Sequence, residues 1–165
     1  ILLWYNYVDL TDVSEQQKVM DFHKSAETLY HLTGRIRIAK EGINGTCAST
    51  PQLAQAFVQA YRLVLPKLQD TAFKTSRATL SSPPFPKYHL KFCSEINRLG
   101  IPNLHVNDSP NIPPHLSPKT FHKLAQTGQY TLMDVRNLYE SEIGHFPDAV
   151  RTATRTFDEL PEWIE

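Results

Sequence analysis

The hydrophobic pattern changes period repeatedly within the first hundred residues, and that alternation restricts the chain to few architectures. Leu2 to Val8 is a run of bulky aliphatic and aromatic residues followed by Asp9, Thr11 and Asp12, the pattern of a buried strand leaving a core. Val19, Phe22, Ala26, Leu29 and Tyr30 then recur at helical spacing, with Ser14 and Gln17 at capping-box positions and Gly34 as a stop. Arg35-Ile36-Arg37-Ile38 alternates strictly, which buries both isoleucines on one face of a strand and turns both guanidinium groups to the other. Asn44-Gly45 predicts a tight hairpin turn, with Thr46 to Ser49 running back. Thr50 and Pro51 open a second helix whose stripe of Leu53, Ala56, Phe57, Ala60, Tyr61 and Val64 runs until Pro66. Phe73 lies in a short extended piece. Tyr88, Leu90 and Phe92 alternate against His89, Lys91 and Cys93 in a final strand. Strand, helix, strand, strand, helix, strand is the split βαβ order, an antiparallel sheet with two helices on one face. The expected fold is therefore an α+β ferredoxin-like domain over residues 1–98.

Eight of the twelve prolines fall between Pro83 and Pro118, so residues 99–116 are expected to form a proline-rich connector without helix. Beyond it, Ser117 and Pro118 start a helix that Phe121, Leu124 and Ala125 can bury, and Gly128 stops it. Tyr130 to Val135 is apolar on both faces, which predicts a strand of a parallel α/β sheet in residues 117–165. Phe157 to Glu165 reads as one further helix start.

With 41% apolar residues among 165, the chain can build a core, and disorder as its main state is excluded. Seventeen basic side chains balance seventeen acidic ones. That neutrality argues against a dedicated DNA or anionic-membrane binder and requires any RNA contact to come from a local patch. No apolar run approaches the roughly 18 residues of a membrane span, and Ile1 to Val8 lacks the flanks of a secretion signal, so a cytoplasmic protein is expected. The chain starts without methionine and stops within the Phe157 helix, as a piece of a longer protein would.

Arg35, Arg37 and Lys40, together with Lys87, Lys91 and Arg98, can make a basic stripe on the open face of the first sheet. Such a stripe can contact phosphate and stack on unpaired bases, or it can be an ordinary solvated strand face. Cys47 and Cys93 open no helix and have no neighbouring histidine, which fits packed structural thiols. The seven histidines are scattered and no Cys-x-x-Cys or His-Glu-x-x-His occurs, so no metal site is expected.

Asp134-Val135-Arg136 ends the Leu132 strand, and Glu140, Glu142 and Gly144-His145-Phe146-Pro147-Asp148-Ala149 follow. This resembles the opening of a rhodanese domain, with Asp148 where a glycine is usual. Gly-Arg-Ile-Arg-Ile-Ala-Lys-Glu-Gly-Ile-Asn-Gly-Thr at 34–46 and Phe-Asp-Glu-Leu-Pro-Glu-Trp-Ile at 157–164 resemble further segments of the rhodanese-containing tRNA uridine hydroxylase family. The resemblance covers essentially the whole chain. It implies a ferredoxin-like (acylphosphatase-like) domain followed by the first part of an α/β rhodanese domain, in a protein that hydroxylates the wobble uridine of tRNA to 5-hydroxyuridine. It further implies molecular oxygen as co-substrate, no resident cofactor, and the tRNA anticodon region as partner. A loop cysteine serves the family, and its place lies beyond Glu165, so no catalytic residue is expected in residues 1–165. Asp134, Arg136, Glu140, Glu142 and His145 are then expected as a supporting ion-pair and hydrogen-bond cluster. Rhodanese-type sulfurtransfer and a non-catalytic RNA- or protein-binding module are the alternatives, because one fold hosts several functions.

Overall fold

A computed structural model describes residues 1–78, 84–101 and 113–164. The chain divides into two compact units, Ile1–Ile96 and Asn97–Glu165. Among the described residues no helix is long and apolar enough to cross a membrane.

In the first unit the elements are β1 (Leu2–Tyr7), α1 (Val13–Leu29), β2 (Thr33–Ala39), β3 (Gly42–Ala48), α2 (Pro51–Val64), a 3-10 turn at Pro66–Leu68, β4 (Phe73–Thr75) and β5 (Tyr88–Phe92). They form one five-stranded sheet of order β4-β1-β3-β2-β5. The β1–β3, β1–β4 and β2–β3 pairs are antiparallel, and β5 runs parallel to β2. Leu2, Trp4, Ile36, Ile38, Ile43 and Cys47 of the sheet pack with Val19, Ala26, Phe57 and Tyr61 of the helices in one buried cluster. Trp4 lies at its centre, with ring centroids 5.6 Å from Phe57 and 5.2 Å from Phe73.

Several local expectations give way to packing. The split βαβ unit is closed by β4 beside β1, whereas Tyr88–Phe92 is a fifth strand on the opposite edge. Three residues are too short to display a period, and it is the contact of Phe73 with Trp4 and Tyr61 that holds β4 there. Asn44-Gly45 is not a turn but the middle of β3; the chain reverses at Lys40 and Glu41, between the paired Ala39 and Gly42. A Cβ on Gly45 would lie 2.4 Å from the Trp4 ring, so this glycine makes room for the indole. Gly34 likewise does not stop α1. The helix ends at Leu29, His31 adopts a left-handed φ of 47°, and Gly34 sits inside β2, where a Cβ would meet the Thr46 carbonyl oxygen at 2.2 Å. The α1 cap is Asp12, whose carboxylate accepts from the Glu15 amide at 2.9 Å, in place of Ser14. Leu29, expected in the apolar stripe, is exposed, and His23 takes a buried place instead. Strand β1 is buried on one side only, since Leu3 and Tyr5 are exposed.

The second unit contains α3 (Pro118–Ala125), β6 (Met133–Asp134), α4 (Leu138–Ile143), β7 (Val150–Arg151), a 3-10 turn at Phe157–Glu159 and α5 (Leu160–Ile164). Ser117 caps α3 through the Thr120 amide. No residue of α3 is fully buried; the Phe121 ring instead lies tilted against that of Phe146, with centroids 5.1 Å apart. Strands β6 and β7 pair in parallel across α4, as the α/β expectation requires. The pairing is only two residues deep, however, and Tyr130, Met133 and Val135 are exposed, so the strand is not buried on both faces. The connector expected at 99–116 falls largely on residues 102–112, outside the described residues. The described residues 99–101 and 113–116 carry no helix or strand.

Candidate nucleic-acid interface

Register decides which side chains share the sheet face opposite the helices. One rung across it reads Lys74, Leu3, Thr46, Arg35 and His89. The next reads Tyr5, Asn44, Arg37 and Lys91. Directly paired residues point to the same side of a sheet, so these two rungs form one surface of cations, amide and hydroxyl groups, and apolar and aromatic side chains. Neither rung holds a carboxylate. Among the described residues Arg35, Arg37, Lys87 and Lys91 have no carboxylate within salt-bridge distance, the ion pairs being Lys24–Asp21, Arg98–Asp158 and Arg136–Asp134.

The structure thus brings Arg35, Arg37 and Lys91 together, as the alternation of β2 predicts. Lys40 occupies the β2–β3 turn. Lys87 precedes β5 and lines a cleft of about 320 Å³ with Arg35, Thr46, Phe85 and His89. Arg98 leaves the stripe: it belongs to the second unit, where its Nε lies 3.0 Å from an Asp158 carboxylate oxygen. Sequence reasoning missed Leu3, Tyr5, His89 and Phe85. The signal for Tyr5 is the alternation of Leu2 and Trp4, both buried, with the exposed Leu3 and Tyr5, which is masked because every one of these residues is apolar or aromatic. At the far end of β1, Tyr7 has its pKa raised, by burial first and then by Glu41. Glu41 is itself occupied, its Oε1 accepting from the Ile96 amide at 2.7 Å.

Cys47 is fully buried and burial pushes its thiol up to about 12, so it is no thiolate near neutral pH. The Cys93 Sγ contacts the Ile38 carbonyl oxygen at 3.5 Å. Among the described residues no three His, Cys, Asp or Glu side chains gather as a metal site would need.

In the second unit, Arg136 grips Asp134 with two hydrogen bonds of 2.9 and 2.6 Å, and also donates to the Gly144 carbonyl at 2.7 Å. This guanidinium holds the Asp134 carboxyl down at about 2. A carboxylate so stabilised is a poor proton acceptor near neutrality, and it also accepts from the Arg136 amide at 3.2 Å in the turn after β6. His145 Nδ1 lies 2.9 Å from the Ser141 carbonyl. Asp134, Arg136 and His145 line one cleft of about 800 Å³ with Phe121 and Phe146. The Glu140 side chain acts on Arg136 only through its charge, and the exposed Glu142 makes no side-chain hydrogen bond among the described residues, so the expected cluster is smaller than its sequence suggests.

A β4-β1-β3-β2 sheet with its two helices packed on one face defines an α+β domain of the acylphosphatase-like class. Residues 1–96 match the family described as UPF0176 acylphosphatase-like domain, and the chain belongs to that family. Curated relatives named tRNA uridine(34) hydroxylase align along nearly all of it. That of Bacillus mycoides is 33% identical over 99% of the chain, that of Lactococcus lactis 32% over 99%, and that of a Picosynechococcus species 33% over 99%. The chain spans about half the length of these relatives, 49%, 49% and 52% respectively.

Proposed function

We propose that the full protein hydroxylates the wobble uridine of tRNA to 5-hydroxyuridine, with molecular oxygen as co-substrate and without a resident cofactor, in the cytoplasm. The observation that carries this reading is the alignment of practically the whole chain with relatives named tRNA uridine(34) hydroxylase. In this reading the first unit, Ile1–Ile96, is the domain that holds RNA, and residues 117–165 are the start of a rhodanese domain. The chemistry of the open face supports it. An anticodon loop presents phosphates and unpaired bases together, and Arg35, Arg37 and Lys91 beside Tyr5 offer a partner to each. Asp134, Arg136 and His145 support the shape of the second unit, with the reacting cysteine supplied by sequence beyond them. The test is mass analysis of nucleosides from unmodified tRNA incubated with the full protein under oxygen and under nitrogen. A uridine that gains one oxygen atom only in the aerobic sample is the expected result. No gain, with thiocyanate released from thiosulfate and cyanide instead, would establish a sulfurtransferase and overturn the proposal.

A further inference from the structure

The cleft between β2 and the segment that leads into β5 differs from the rest of the open face. It is an open cleft of about 320 Å³ whose lining includes Gly34, Arg35, Thr46, Phe85, Lys87 and His89. Two permanent cations and a histidine therefore meet an aromatic ring, with no carboxylate in the lining. Phe85 is partly buried, while Arg35, Lys87 and His89 are exposed and available to a ligand. The volume falls at the small end of ligand pockets, which suits a single nucleotide and not a folded segment of protein. At the β2 side of the cleft Gly34 lets the β2 and β3 backbones approach closely, since a Cβ there would lie 2.2 Å from the Thr46 carbonyl oxygen. From the cleft, Arg35 leads along β2 to Arg37 and its neighbour Lys91, about 6.6 Å further, a step that one nucleotide of an extended strand can cover.

We propose that this cleft seats one unpaired nucleotide of an RNA strand, its base stacked on Phe85 and its phosphate held by Arg35 and Lys87. This inference rests on the reading of the protein as a tRNA-modifying enzyme and adds to it the place where a base is gripped. Charge complementarity selects a polyanion, and the aromatic wall selects one with exposed bases.

Anisotropy of a short labelled oligouridylate, titrated with the chain at several salt concentrations, provides the test. Phe85→Ala should weaken binding about tenfold with an unchanged salt slope, because a stacking interaction carries no counterions. Phe85→Trp should bind like the parent, which also shows that the site folds. Lys87→Ala should lower the log-log salt slope by about 0.7, the single-strand value for one neutralised phosphate. Parent-like binding by a folded Phe85→Ala, or equal affinity for a duplex of the same length, would overturn the proposal. Since the assay reads binding and not turnover, a protein without hydroxylase activity that still depends on Phe85 would fail only the enzymatic reading. An active hydroxylase indifferent to Phe85 would fail only this one.

Discussion

His23 illustrates what burial does to a single residue. It is enclosed by Phe22, Phe57 and Tyr61, with Nδ1 2.7 Å from the Val19 carbonyl and Nε2 unpartnered among the described residues. Burial pushes its pKa down to about 4 from the ordinary 6.5. As pH falls below 6.5 the unfolded chain takes up a proton that the folded chain refuses until about 4. The stability from keeping this ring neutral is thus complete above 6.5 and is lost between 6.5 and 4, on the order of 3 kcal/mol in all. Urea unfolding at neutral and mildly acidic pH should show that decline in the parent and a smaller one in His23→Phe; parallel curves would mean that the His23 ring titrates alike in the folded and the unfolded chain. Residue-level reading of the sequence missed this site, because His23, although four residues after Val19 and so on the buried face of α1, is a polar residue type that a count of apolar positions passes over. At Asp148 it did better. The φ of 58° explains why a glycine is usual there, and aspartate is among the residues that tolerate that region.

Among the elements, β3 shows how a local signal can point the wrong way. Asn44-Gly45 has the composition of a hairpin turn, yet Gly45 pairs with both Trp4 and Ile36 in the middle of the sheet. The space a side chain would take is filled by the indole. Gly45→Ala should therefore destabilise the first unit by about 1–3 kcal/mol through overpacking. Pairing it with Trp4→Leu should recover part of that loss, a non-additivity that a double-mutant cycle of urea midpoints would detect. Strictly additive losses would separate the glycine from the ring. Strand β4 shows the opposite difficulty: its three residues carry no period, and its place is set by Phe73 packing on residues from β1 and α2.

For the whole molecule, the relevant electrostatic fact is a neutral chain with one face of its sheet free of carboxylates across two rungs. Attraction to a nucleic acid then depends on a few named cations and not on net charge. Arg35→Ala with Arg37→Ala, made together in the full protein, should weaken tRNA binding and flatten its dependence on salt, by about 0.7–0.9 in log-log slope for each phosphate that the pair had neutralised. An unchanged slope would remove both residues from the RNA interface. Arg98, engaged with Asp158, serves as the comparison substitution and should leave the slope as it is.

Hydrophobic period and capping chemistry were enough to establish the α+β class, both long helices, and the inward isoleucines and outward arginines of β2. These signals act over a few neighbouring residues, so the chain carries them wherever it is read. Packing in three dimensions was needed to establish that β5 lies beside β2, that Gly45 faces Trp4, that Arg98 pairs with Asp158, and that Phe85 and His89 join Arg35 and Lys87 around one cleft. Each of these depends on residues from about 40 to 60 positions apart in the chain meeting in space, and no local pattern encodes which distant surface offers the better fit.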